Sequence, residues 1–212
     1  MSLDYLFDNW RRVLDLAVEH LELSLIAVGI GLFFALPIGM LVAHYGKLEV
    51  PVLGGLSVIY TLPSLAVLAL LIPFLGLGRQ PAIVTLAAYS QVFLVRNIVT
   101  GLRGVNPDTI EAARGVGMTP WQVFVRVRMP LALPVVLAGV RIALVTTISL
   151  ATVAAWIRAG GLGTLLFDGI TRNNGSMILA GAVAITALAL LVDLVLRIVE
   201  ALTPVARSRR AG

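Results

Sequence analysis

The sequence predicts an all-α membrane protein with about five transmembrane helices, and three observations carry that prediction. The chain is 59% hydrophobic and only 13% charged, with a mean hydropathy of +0.99. A soluble domain is about half apolar and about a quarter charged. Five stretches are apolar enough to cross a hydrocarbon core, a task that takes about 20 residues of helix. One long polar segment, 103–130, separates the third stretch from the fourth and carries two proline-led helix starts. The length of 212 residues suits one membrane domain without an added soluble one.

Residues 1–22 precede the first stretch and have their own pattern. Leu3, Leu6, Phe7, Trp10, Leu14, Val18 and Leu21 recur at helical spacing, and Asp4, Asp8, Arg11, Arg12, Asp15, Glu19 and Glu22 fill the other positions. That is the pattern of an interfacial amphipathic helix. It serves as a membrane-lying lead-in or as a docking surface. The first span, 23–43, holds no charge. It is too long for a cleaved signal, starts too late, and follows an acidic segment rather than a basic one. The second span is 52–75, the third a shorter 81–95, the fourth 131–157 with Arg141 inside it, and the fifth 177–199 with Asp193 and Arg197 near its end. Together 23–199 form the membrane domain, followed by a basic tail, 200–212.

Five spans place the termini on opposite sides, and Lys and Arg choose the orientation. With the N-terminus outside, ten basic residues fall inside and five outside, with Arg141 left in a span. The densest group, Arg96, Arg103, Arg114, Arg126 and Arg128, is then cytoplasmic along with the tail. Arginine at membrane borders therefore explains the net charge of +5 without nucleic acid. Cysteine is absent and the two histidines, His20 and His44, are far apart, so no metal site is expected.

The polar segment is built to be ordered. Asn106-Pro107 and Thr119-Pro120 each pair an N-cap residue with proline at the first helical position. Gln122 follows Thr119 at capping-box spacing. Two short helices are expected, 107–114 and 120–127, broken by Gly115 and Gly117, with Met129-Pro130 ending the second. A plain connector needs only a few residues. A DNA-reading helix-turn-helix would not be tied to the membrane at both ends. No Gly-x-x-x-x-Gly-Lys-Ser/Thr run exists, and Lys47 is the only lysine, so the chain has no ATPase motif of its own.

The segment Glu111-Ala112-Ala113, then Gly117, Val127 and Met129-Pro130, resembles the EAA loop of ABC importer permeases. Val and Met stand where that pattern has Ile and Leu, both conservative exchanges. Thr61-Leu62-Pro63-Ser64-Leu65-Ala66, Gly101-Leu102-Arg103-Gly104-Val105, Ala138-Gly139-Val140-Arg141 and Ala159-Gly160-Gly161-Leu162-Gly163 look like the osmoprotectant branch. That branch carries glycine betaine, choline, carnitine and proline betaine. The resemblance spans about 53–194 and implies a type I, MetI-like permease fold in a bacterial or archaeal cell membrane. It implies a coupling helix docked on a cytoplasmic ATPase, which would bind ATP and magnesium, so this chain would hold no cofactor and be no enzyme. It also implies a second permease chain and an extracytoplasmic binding protein. Glu111, Ala112, Ala113, Gly117, Met118, Thr119, Pro120, Trp121 and Pro130 are the expected coupling residues. Trp121 is an anchor for the ATPase groove, or else a headgroup-level belt tryptophan.

Pathway or gate candidates are Tyr60, Thr61, Ser64, Tyr89, Gln91, Arg141, Ser149 and Thr152. For the hydroxyls, helix-packing glue is the competing reading. Arg141, about three turns into its span, lines the path, locks the bundle or forms a structural salt bridge. Asp193 and Arg197 read as a local i,i+4 pair. No aromatic cage for a trimethylammonium group is visible in the sequence. The stretch 164–170 is an external helix, a docking surface for the binding protein or an inert gate. Other readings are a methionine or other amino-acid importer, an ATPase-independent secondary transporter or channel, and a membrane scaffold.

Overall fold

The computed structural model describes residues 3–202, and every regular element among them is helical. Of the expected tail, residues from 203 on, including Arg207, Arg209 and Arg210, lie outside the described residues. Helix α1 (Asp4–Asp8) is short, and α2 (Trp10–His44) then runs 35 residues without interruption. The lead-in and the first span are therefore one rod from Trp10 onward. No glycine or proline lies between Trp10 and Val28, so nothing stops the helix at the expected boundary. At 1.5 Å per residue α2 is about 52 Å long against a hydrocarbon core of about 30 Å, so its first turns project beyond the core.

The expected second span is not one rod. Helices α3 (Glu49–Thr61) and α4 (Ser64–Leu75) meet at 89°. Leu62 and Pro63 between them are extended, with ψ of 141° and 121°. Proline lacks the N–H that would continue α3 and pushes the residue before it out of helical conformation. Among the described residues there are thus four continuous helices long and apolar enough to span a membrane, or five if the bent pair counts as one. No residue of α3 is buried, and in α4 only Leu68 is.

The third span is longer than expected: α5 is Arg79–Arg103. Arg96 and Asn97 suggested an end after Val95. The helix continues because Ile98, Val99 and Leu102 are buried beyond them while Arg96 faces out. Helix α5 is the most enclosed of the long helices and forms the centre of the bundle. Gly31, Ala35 and Gly39 give α2 a buried small-residue stripe. A Cβ on Gly39 would lie 2.5 Å from Ile98 Cγ2 of α5. On the opposite side, Gly139 of α8 (Met129–Ala154) comes so close that a Cβ would lie 2.4 Å from Asn97 Cβ. Small residues bring membrane helices to short distances where dispersion replaces the missing hydrophobic drive.

Between α5 and α8 lie α6 (Pro107–Gly115), α7 (Pro120–Val123) and a five-residue π-helical run, Phe124–Arg128. The second expected loop helix does not end at Met129-Pro130. Pro120–Ile157 is one helical path. Pro130 offers no N–H to the Arg126 carbonyl, and the wide turns of the π run fall where that bond is missing. A hairpin of α9 (Gly163–Thr171) and α10 (Gly175–Ala201) completes the fold, and Asn174 caps α10 by accepting from the Met177 N–H at 3.1 Å.

Candidate coupling face and membrane path

The turn between α6 and α7 is fixed by backbone bonds. Gly117 N–H donates to Arg114 O at 2.9 Å, and Met118 N–H donates to Ala113 O at 3.2 Å. These two bonds form a Schellman motif, which requires a left-handed residue at the position Gly117 occupies with φ +83°. Gly115 is simply the last residue of α6. Asn106 Oδ1 accepts from the Asp108 N–H at 2.9 Å at the start of α6. Thr119 Oγ1 accepts from the Gln122 N–H at 3.3 Å, and Gln122 Oε1 accepts from the Thr119 N–H at 2.9 Å. The capping box expected from the sequence is complete.

This scaffold sorts the coupling residues expected from the sequence by exposure. Ala113 is buried and Met118 half-buried, whereas Glu111, Ala112, Gly117, Thr119, Pro120 and Pro130 are exposed. Trp121 is 71% exposed and stacks on Phe124 with ring centroids 5.9 Å apart. The capped turn thus holds a large aromatic pair at the surface. Along α6, a cleft of about 590 Å³ is lined by Arg103, Ile110, Glu111, Arg114 and Arg128 among others.

Arg103 and Arg128 also tie the face to the bundle. Arg103 Nη2 donates to Val42 O at 2.7 Å, and its Nη1 pairs with Glu49 at the start of α3. Arg128 Nε donates to Leu102 O at 2.9 Å. The ends of α2, α3 and α5 are thus pinned to the same level.

The pathway candidates do not form one group. Tyr60, Thr61, Ser64 and Tyr89 gather at the α3–α4 bend, where Tyr89 Oη donates to Leu62 O at 2.7 Å. The Tyr60 ring makes edge contacts with Tyr89 at 5.7 Å and with Phe93 at 5.1 Å. Phe93 was missed in the sequence; its spacing of i+4 from Tyr89 was the available signal. Gln91 points elsewhere, with Nε2 donating to Gly31 O at 2.8 Å across the α2–α5 seam. Ser149 Oγ bonds back to Val145 O of its own helix, and half-buried Thr152 lies on the same α8.

Arg141 joins α8 to α10. Its Nη1 lies 3.2 Å from Asp193 Oδ1, and its Nε lies 3.5 Å from Glu200 Oε2. The Asp193–Arg197 pair is present as expected, at 2.6 Å, but Asp193 also serves Arg141. Two carboxylates of α10 therefore neutralise the cation inside the bundle, which is the condition under which a membrane tolerates one.

At the opposite end, Gly160 and Gly161 take φ of +86° and +78° and open the segment that leads into α9. Glu19 Oε2 accepts from the Gly161 N–H at 3.1 Å, and His20 Nε2 donates to Ile148 O at 2.8 Å. Arg12 pairs with Asp168 at 3.4 Å, and Glu22 pairs with Arg79 at 3.0 Å. The polar residues of the amphipathic lead-in thus contact α9 and the start of α5.

Comparison with known proteins adds a family match, two relatives and a solved structure. Residues 35–203 match the model of the family described as binding-protein-dependent transport system inner membrane component. The glycine betaine/carnitine/choline transport system permease protein OpuCB of Bacillus subtilis (strain 168) is 41% identical over 196 residues, covering 92% of this chain and 90% of that one. The carnitine transport permease protein OpuCB of Listeria monocytogenes is 43% identical, covering 97% of this chain and 95% of that one. Among solved structures, a chain of the MetNI methionine ABC transporter in an inward-facing conformation superposes with a TM-score of 0.79 at 25% identity. That superposition covers 94% of this chain and 98% of the other.

Proposed function

The chain belongs to the family of binding-protein-dependent transport system inner membrane components, as a permease subunit of an ABC importer, and from that premise we propose how it works and what it carries. Its cargo is an osmoprotectant of the quaternary ammonium class: glycine betaine, choline or carnitine. Relatives at 41% and 43% identity that carry such compounds support this cargo over the methionine of the 25% identical structural neighbour. The observation that carries the coupling mechanism is the capped turn that holds Trp121 in the open.

A cytoplasmic ATPase subunit, which binds ATP and magnesium, docks on the face from Glu111 to Trp121. Trp121 enters a groove on that subunit, Glu111 sets its orientation, and Gly117 keeps the turn in register. The N-terminus lies outside and the C-terminus in the cytoplasm, as the distribution of basic residues favours. Two permease chains enclose the path, because five helices with a lightly packed bent pair do not surround one. An extracytoplasmic binding protein delivers cargo at the α9 side.

The test is a tagged purification from native membranes in mild detergent, with co-purifying chains identified by mass. An ATPase should accompany the wild type and be lost with a Glu111→Arg, Gly117→Pro variant, at two membrane chains per ATPase pair. No ATPase in either sample would favour an ATPase-independent transporter. One membrane chain per ATPase pair would refute the two-chain path.

A further inference from the structure

We propose that the half-buried Tyr60 ring, positioned by buried Tyr89 and by Phe93, forms a weak cation–π station for the trimethylammonium group of the cargo at the break between α3 and α4. This rests on the osmoprotectant reading above and deepens it by naming where within the membrane the cargo's charge is held.

The depth is right for such a station. Glu49 and Arg103 pair at the inner ends of α3 and α5. Tyr60 lies eleven residues along α3 from that pair, and Phe93 and Tyr89 lie ten and fourteen residues back along α5. At 1.5 Å per residue these positions are about 15–21 Å from the inner ends, near the middle of a core about 30 Å thick.

The chemistry fits a cation that cannot donate a hydrogen bond. A trimethylammonium group has no N–H, so carbonyls and hydroxyls cannot bind it by direction. It responds to diffuse negative potential, and the face of an aromatic ring supplies that. Tyr60 is half-buried, so part of its ring remains open, while Tyr89 and Phe93 hold it by edge contacts at 5.7 and 5.1 Å. In an edge contact the positive rim of one ring meets the negative face of another, which orients the faces. Tyr89 is fixed in turn by its bond to Leu62 O, inside the break itself.

A second source of negative potential lies beside the rings. Helix α3 ends at Thr61, so the carbonyls of its last turn present the negative end of the helix dipole at this depth. No acidic side chain of α3, α4 or α5 lies beyond Glu49, so nothing at the station would hold a cation as tightly as an ion pair. A path needs that balance, strong enough for entry and weak enough for release.

The experiment uses the assembled complex of permease, ATPase and binding protein in liposomes, with uptake of choline, carnitine and glycine betaine as readout. Tyr60→Phe should keep the uptake rate within about twofold, and Tyr60→Leu should lower it by about 3- to 10-fold, the range of a partly desolvated cation–π contact. A series with one, two and three fluorines on a phenylalanine at position 60 removes electron density from the ring face with little change of shape. Uptake should fall step by step along it, and the affinity of the complex for loaded binding protein should stay constant. The fluorinated series keeps the test intact where Tyr60→Leu disturbs assembly. A flat fluorine series in a complex that transports these compounds would overturn the station alone. A wild-type complex that carries none of the three would overturn the cargo assignment and the station with it.

Discussion

The turn at Gly117 offers the cleanest quantitative test of coupling. Its φ is +83°, and nothing lies within 4 Å of where a Cβ would be. Alanine therefore meets no clash, and its cost is the left-handed backbone alone, about 1–2 kcal/mol. Where the turn alone holds the face, that lowers the docking-ready share by about 5- to 30-fold, since 1.4 kcal/mol is a factor of ten. Asparagine accepts the left-handed region more readily and should cost less than alanine. Proline is worst, because its ring fixes φ near −65° and it removes the N–H that donates to Arg114 O. Cargo-stimulated ATP turnover in liposomes should fall in the order Gly, Asn, Ala, Pro at position 117. Thermal unfolding of the membrane domain should stay constant across the series, because Gly117 is exposed and packs against nothing. Wild-type turnover in Gly117→Pro would refute the assignment of this turn to coupling. Turnover that fell only in step with the unfolding temperature would mean that the turn serves folding instead.

Other residues make further tests. Trp121→Ala should weaken ATPase association by about 2 kcal/mol or more, as expected for an exposed aromatic anchor, with unchanged thermal stability of the isolated permease; an unchanged affinity in a detergent binding titration would point to a membrane belt role. Gly39→Ala forces a Cβ to 2.5 Å from Ile98 Cγ2 and should destabilise by about 1–3 kcal/mol, the usual cost of overpacking. Ile98→Ala in the same chain should recover part of that loss, and strict additivity in unfolding measurements would count against the close α2–α5 seam. Arg141→Ala should destabilise more than Arg197→Ala, because the Arg141 side chain is 20% exposed and bridges two helices, whereas Arg197 is 63% exposed on one; equal effects on the unfolding midpoint would show that the bridge contributes little.

Elements governed by local rules were legible in the sequence. Asn106-Pro107 and Thr119-Pro120 announced helix starts, and the caps they imply are present. Apolar runs gave the number of spans to within the treatment of one bent pair. What failed were boundaries set by tertiary contacts. Helix α5 passes through Arg96 because the residues beyond it are buried by α2 and α8, which no window of hydropathy records. The bend after Thr61 lies inside a run that hydropathy reads as one span, because Leu62-Pro63 is apolar even though it ends the helix. Partners across helices were legible least. Glu200 as a second counter-charge for Arg141, and Phe93 as a neighbour of Tyr60, join residues 59 and 33 positions apart in the chain.

The π run between α7 and α8 bears on how force leaves the coupling face. A helix that stopped at Pro130 would leave α7 as a loose appendage, and a push on Trp121 would be absorbed by the joint. Instead, Phe124–Arg128 keeps the backbone helical from Pro120 into α8, so displacement at α7 is carried along the helix that bears Arg141. Arg128, within that run, bonds to Leu102 O near the end of α5, and Arg103 next to it binds the end of α2 and the start of α3. On the proposed coupling, an ATPase docked on α7 would push on one continuous helical path and on one arginine-tied junction. That junction joins the start of α3 to the end of α5, the two helices that carry Tyr60 and Tyr89 to the break. Through its pair with Glu49, Arg103 joins this level to α3, one half of the bent pair that together is long and apolar enough to span among the described residues. If the bend after Thr61 flexes as a hinge, a small movement at the proposed coupling face would be turned into a larger one at the α3–α4 break.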